Sequence, residues 1–569
     1  MKIRLPKDMR GDMFPSVLTL EMSGFDIDLF LPALFFAILA KGKGKARQVN
    51  DPKKIADFID QLAHHPILQG FDSLEGRKVL ERLVRTTLIT TSKIGRAHTG
   101  EQISSIIPYT LLSHKPGFPA TGSRQRKADT FIYQALRECI RSDNKLRTIS
   151  DNKLRTIMET AFGHGVEIGK DSDLGGAYDG ETDLDTLTRL SIAFLDGFEN
   201  TKPGLSREED VPSSCPALFR ELGTDILDYL SKFCTFMPTQ AFTYHLLALI
   251  NFELFNYTLK LVHAINALVR NPETLPEAMR DEPVPSSPQL YLDFTGASAG
   301  RSLEMAKACV RRDVEAYQQF LSSNLLLRQL DRYVEDLKRN QRRKVDIEKM
   351  LPSKASGAHY LQGLLLLQNN PNVQANFDAS AQRDENRIIA ENTSADGSDD
   401  TELLMWLDTV ASTAETDVER VVNLLAEAQH DDIGRHFMPW YWGVGGMRQP
   451  HGVLTGHVPQ RQSWRYAPSN DLLAVLVQVV AARLSKPNEL QSIRLQEFLK
   501  FLENRFGILI DKPPTPFEGT EYAAAARDNL RAMLRRLRQM GIFRDLSDDF
   551  TVQRLHPPYV GEETIRVEA

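Results

Sequence analysis

Apolar residues recur at three- and four-residue intervals through most of the chain, and that spacing predicts a mainly α-helical protein. Residues 53–65 and 76–91 each carry an apolar stripe at helical spacing; in the second it comprises Val79, Leu80, Leu83 and Val84. Residues 216–270 return to helix, with an apolar run from Phe242 to Val269 continuous enough to predict burial on every side. A long charged helix or helical pair is predicted over 310–349, and helix restarts over 401–428. The run Leu29 to Ala40 contains Pro32, is too short to span a bilayer and lacks signal-peptide flanks. No membrane segment is expected.

Breaks in the pattern suggest a multidomain chain. Residues 1–140 read as a basic helical N-terminal domain and 141–270 as a helical domain. A Pro-rich connector over 271–288 opens a helical region, 271–368. Residues 369–400 are polar and weakly apolar and read as a partly disordered linker. Residues 401–465 read as a helix plus a loop rich in Trp and Gly, and 466–560 as a winged-helix-like α+β domain. An octad, Ser-Asp-Asn-Lys-Leu-Arg-Thr-Ile, occurs at 142–149 and again at 150–157. Eight residues are little more than two helical turns, so the repeat predicts a long or bulged helix rather than a solenoid.

The C-terminal order carries the most information. Asp471 to Leu484 suits a first helix, with Ser469 or Asn470 as its N-cap. Arg494 to Phe506 is amphipathic and Gly507 ends it; Pro513, Pro514 and Pro516 stiffen the connection. Tyr522 to Met540 forms a third helix, stopped by Gly541. Its Leu530, Leu534 and Leu537 line one face, and Arg527, Arg531, Arg535 and Arg538 line another. Two short strands, 542–546 and 550–555, complete a wing. Guanidinium groups along a third helix suit phosphates and guanine edges. Winged helices also dock proteins, and the residues after Asp545 are net acidic.

Charge adds a second hint. The net charge is −6, yet residues 1–130 hold 20 Lys and Arg against 13 Asp and Glu. Two basic loops stand out there: Lys41, Lys43 and Lys45 among glycines, and Arg124, Arg126 and Lys127 after two prolines. They could meet phosphates as mobile arms; solvated loops are the commoner outcome. Together with Arg554 these residues make up the candidate nucleic-acid contacts. Four scattered cysteines, with no paired spacing, fit free thiols in a reducing cytoplasm.

Catalytic signals are missing. The acidic Gly169–Asp185 loop fails the calcium-loop pattern at its fifth and twelfth positions, where Gly175 and Thr182 stand. Gly296 to Ser302 lacks the spacing and the Lys of a phosphate loop. His430, His436, His451 and His457 lack the paired spacing of a zinc site. Trp440, Trp442 and Trp464 suit either base stacking or, more commonly, a rigid plug into a neighbouring unit. No catalytic residue, metal or cofactor is assigned.

Two stretches carry a resemblance. RLVRTTLITTSKIGR and IIPYTLLSHKPGFP lie within Leu80 to Pro119, and NLRAMLRRLRQMGIFRDLSDDFTVQRLHPPYV runs from Asn529 to Val560. They resemble a component of the bacterial methylation-associated defence system. The resemblance implies an anti-phage role beside a DNA methyltransferase and an ATPase, and supplies no catalytic residues. The expectation is therefore a non-catalytic subunit of a defence complex that contacts double-stranded DNA. The alternatives are a protein-docking scaffold without DNA contact, and an effector nuclease or hydrolase with an unrecognised site.

Overall fold

The computed structural model describes residues 3–10, 14–18, 20–45, 53–66, 68–91, 104–115, 126–140, 147–169, 174–199, 202–207, 210, 212–281, 284–339, 347–393, 401–432, 436–447, 449–486, 490–544 and 553–560. The chain is mainly α, with small two-stranded sheets. In chain order the helices are α1 (Leu31–Leu39), α2 (Lys53–Ala63), α3 (Leu74–Thr87), α4 (Ala128–Ile140), α5 (Arg147–Phe162), α6 (Thr186–Asp196), α7 (Pro216–Phe233), α8 (Thr239–Arg270) and α9 (Arg301–Lys338). They continue as α10 (Gly357–Gln368), α11 (Pro371–Asn392), α12 (Thr401–Ala411), α13 (Asp417–Ala428), α14 (Met438–Val444), α15 (Asn470–Leu484), α16 (Leu495–Phe501) and α17 (Thr520–Gln539).

The centre of the molecule is α8. Of its 32 residues 24 are buried, so water reaches almost none of its circumference. A helix buried all round must satisfy its polar side chains inside the protein. It does so by bonding to the elements that surround it. Asn251 Nδ2 donates to the Val444 carbonyl (2.9 Å), Asn256 Nδ2 to Phe506 (3.0 Å) and Asn266 Nδ2 to Ala316 (2.8 Å). Lys260 Nζ donates to the carbonyls of Pro285 (2.9 Å) and Arg505 (3.0 Å). One hydrophobic core runs from Ile3 to Leu555 around this helix, and a second, smaller core lies under α2, α3 and α6.

A charge cluster sits within the large core. Helix α16 runs on into a π-helical turn, Leu502–Phe506, closed by Gly507 at φ 76°. That turn presents the buried Arg505, whose Nη2 lies 2.8 Å from Asp225 on α7 and 3.0 Å from Glu253 on α8. Burial pushes the Glu253 carboxyl well above its usual range, and the nearby Asp225 charge adds to the effect, against the pull of Arg505. Burial likewise holds Lys260 well below the usual lysine range. The cluster thus combines an ion pair between Asp225 and Arg505 with a carboxyl whose charged form burial disfavours.

The Trp-rich segment is a plug. Trp440 and Tyr441 on α14, with Trp464 and Tyr466 on strand β9 (Gln460–Tyr466), are all buried. Trp440 Nε1 donates to Thr258 on α8 (3.1 Å), and the Tyr441 and Tyr466 hydroxyls meet at 2.7 Å. Aromatics held this way are unavailable to stack on bases.

Other expectations were revised. Residues 371–392, read as part of a polar linker, form helix α11, whose Val373, Phe377, Ala381 and Ile388 are buried. Apolar residues at steps of four, four and seven were enough to seat an otherwise polar helix. The basic stretch at 41–45 is no free arm: strand β1 (Lys43–Lys45) pairs antiparallel with β6 (Pro203–Arg207). The second octad lies wholly within α5; residues 142–146 of the first lie outside the described residues. In the acidic loop, Asp179 and Asp185 spend their carboxylates on local backbone amides rather than on a cation.

Replacing Arg505 with Met should cost about 3 kcal/mol, because Asp225 loses its closest cation in the core and keeps only Arg483, at 3.4 Å; urea denaturation measures it. Glu253→Gln should change stability by less than about 1 kcal/mol at low pH, since Gln replaces a carboxyl that is already neutral. The Glu253 pKa is raised on folding, so its contribution is complete below its usual value near 4.5 and declines as pH rises toward the folded value. The Gln variant should therefore lose less stability than the parent between acid and neutral pH. Parallel pH profiles would refute the assignment.

Candidate nucleic-acid interface

Helix α17 begins after Gly519, at φ 117°, and stops before Gly541, at φ 72°. Both positions need a backbone that residues with a Cβ rarely adopt. Between them Ala526, Leu530, Met533 and Leu537 are buried and seat the helix. The buried Asn529 fixes its position. Its Oδ1 accepts from the Phe294 amide (2.7 Å), and its Nδ2 donates to the Leu292 (2.8 Å) and Ile510 (3.0 Å) carbonyls. These groups flank the parallel pair of β7 (Leu290–Tyr291) and β11 (Ile508–Leu509). One side chain thus ties α17 to two extended segments.

The opposite face is cationic. Arg527, Arg531, Arg535 and Arg538 are all exposed. At 100° per residue they fall within about 80° of arc and rise about 16 Å along the helix. Arg531 pairs with Asp528 one turn back (2.9 Å), where both side chains are about two-thirds exposed, so the pair is weak. The Arg538 guanidinium lies 5.3 Å from the Phe543 ring centre. Among the described residues no carboxylate lies within ion-pair distance of Arg527 or Arg535. Arg536 points the other way. It is half-buried, donates to the Pro468 carbonyl (2.8 Å) and lies against the Phe294 ring, and desolvation lowers its pKa.

Short strands support this helix. Strand β10 (Ile493–Arg494) lies between α15 and α16 and pairs antiparallel with β12 (Arg554–Leu555). Leu555 also bridges Phe543, just after α17. The expected N-cap holds, with Ser469 Oγ accepting from the Leu472 amide (3.1 Å). The turn expected at 547–549, with residues 545–546 and 550–552 of the two expected strands, lies outside the described residues. Arg554 is partly buried and donates to Ser492 Oγ (3.1 Å).

The N-terminal candidates are engaged by their own surroundings. Lys41 and Lys43 are partly buried beside strand β1, and the side chain of Lys45 lies outside the described residues. Arg126 Nε donates to the Gly24 carbonyl (3.3 Å), Lys127 pairs with Glu21 (3.1 Å), and Arg124 lies outside the described residues. The sequence reading missed a basic groove of about 450 Å³ at the start of α9, lined by Arg301, Glu304, Lys307 and Arg311. Arg301 bonds Glu304 (2.8 Å) and Glu521 (3.0 Å), which joins the first turns of α9 and α17. The four-residue step from Lys307 to Arg311 was the available signal.

Other chemistry-bearing groups are accounted for locally. Asp313 is fully buried and receives bonds from Arg312 Nε (2.8 Å), His263 Nε2 (2.9 Å) and Tyr466 Oη (2.7 Å). Desolvation alone would raise its pKa, but Arg312 and His263 outweigh it and lower it. Burial pushes the Cys139 and Cys309 thiols up to about 11, so neither is a thiolate at neutral pH. Among the described residues no three His, Cys, Asp or Glu side chains gather as a metal site, and no helix is long and apolar enough to cross a membrane.

Searches against curated proteins and solved structures find no match. A family match does exist, and it covers residues 7–559, nearly the whole chain. The chain therefore belongs to the family described as methylation-associated defense system protein MAD7, and is a component of a methylation-associated anti-phage defence system.

Proposed function

We propose that this chain is the non-catalytic, DNA-associating subunit of its defence complex, and that the C-terminal unit acts as a winged helix. The observation that carries the proposal is the exposed arginine face of α17, backed by a buried seam that holds the helix rigid. Helix, strand, helix, strand, helix, strand is the element order from α15 to β12; β11 pairs outside this unit with β7, while Leu555 lies between partners on both sides, as in a wing. On this reading α17 enters the major groove. Arg527 and Arg535 meet phosphates or guanine edges, and Arg531 exchanges Asp528 for a phosphate. Lys41, Lys43, Lys45, Arg124, Arg126, Lys127 and Arg554 are secondary contacts at most, and several of those described already bond within the chain. The partners by resemblance are a methyltransferase and an ATPase, which would supply the chemistry.

Four phosphate contacts give a slope of about −3.5 for log affinity against log salt. Arg535→Ala should weaken binding and make the slope about one unit shallower, uniformly across sequences. Replacing Arg531, Arg535 and Arg538 together by Glu should abolish the gel shift on methylated and unmethylated duplex alike. Their exposure predicts a stability change within about 0.5 kcal/mol per site. Retained affinity in a folded triple variant rejects the surface. Asn529→Ala serves as the opposite control: it should cost about 1–3 kcal/mol of stability by stranding buried amide and carbonyl groups.

A further inference from the structure

Helix α3 shows a face that its own core does not use. Leu80 and Val84 are buried against the second core with Ile55, Phe58 and Leu195. Val79 and Leu83, one position earlier in each turn, are 54% and 46% exposed, and Leu74 is 74% exposed. Nine large hydrophobic side chains are exposed among the described residues, and three of them stand on this one helix. Lys78 and Arg82 form a parallel exposed ridge beside Val79 and Leu83. Their neighbours Arg77 and Arg85 are paired, with Asp60 (2.8 Å) and Glu81 (2.8 Å). Among the described residues no carboxylate lies within ion-pair distance of Lys78 or Arg82.

We propose that this face of α3 docks an amphipathic helix of another protein of the same defence system, with an apolar ridge set against Val79 and Leu83 and a carboxylate ridge against Lys78 and Arg82. Charge complementarity chooses the occupant. Two neighbouring ridges, one aliphatic and one cationic, each with four-residue spacing, match a helix bearing Leu-type and Glu-type residues at the same spacing. A duplex would use the cations and leave the aliphatic ridge wet. An anionic lipid surface would need a broader apolar face than Val79 and Leu83 provide. The docking face is independent of the arginine face on α17, so either assignment can fail alone.

The test places the photo-crosslinking residue p-benzoylphenylalanine at position 79 of the full chain and mixes it with each purified protein of the system in turn. The expected result is a crosslink to one of them, mapped by mass spectrometry to a helical segment with acidic and apolar residues at four-residue spacing. The double variant K78E/R82E, checked for an unchanged melting temperature, should reduce that crosslink about tenfold or more. Lysines in place of the partner's mapped carboxylates should restore it. No crosslink to any member, a crosslink to a segment without carboxylates, or a yield unaffected by K78E/R82E would overturn the proposal. So would a crosslink that forms only with added duplex or anionic vesicles.

Discussion

Arg505 is a cation that cannot reach water, and much of the molecule is arranged around that fact. Its guanidinium joins Asp225 on α7 and Glu253 on α8, and its own carbonyl accepts from Lys260 one helical stretch further along α8. Four groups of opposite tendency are thereby balanced: the two members of an ion pair, one carboxyl with a raised pKa and one amine with a depressed pKa. Buried ion pairs add little net stability over an apolar replacement, because desolvation cancels much of the attraction. What such a pair does supply is geometry. A guanidinium fork has fixed donor directions, so the turn at 502–506 can seat on α7 and α8 in one register.

That register passes outward to the candidate interface. Gly507 ends the π-helical turn with a left-handed backbone, and the chain then runs directly into β11, which pairs with β7. Asn529 bonds to the residues following both strands and so places α17. From Arg505 to the arginine face there is a short path of extended backbone and hydrogen bonds. Asp313 does similar work further along α8: it collects Arg312, His263 and Tyr466 at one carboxylate and locks the aromatic plug against α9. Groups that look catalytic in isolation, a His–Asp pair with tyrosines beside it, are here the fasteners of a helical scaffold.

Much of the helical content was legible because periodicity survives in a single sequence. Helices α2, α15 and α17 were read within a few residues of their ends, and the stops at Gly507 and Gly541 follow from the backbone those positions need. Burial was less legible. Val79 and Leu83 share the apolar stripe of Leu80 and Val84, and periodicity alone cannot say which half of a broad stripe faces the core. The linker reading failed at α11 because mean polarity hides four well-spaced apolar residues. Pairings between distant segments, such as β1 with β6 or Asn529 with Leu292, leave no local trace at all.

The overall charge of the chain does not argue against the DNA reading. At physiological salt the Debye length is about 8 Å, so a phosphate at α17 senses the guanidinium groups beside it and little of the net −6 elsewhere. The arginine face extends about 16 Å, twice that length, which makes it an independent electrostatic patch. Acidic surface beyond the patch then acts at close range as a barrier to wrong orientations rather than as a weakening of the right one. On the proposed reading, a subunit built this way would present DNA at one defined angle to its partners. Rigid support of the arginine helix matters more to that role than the number of its arginines.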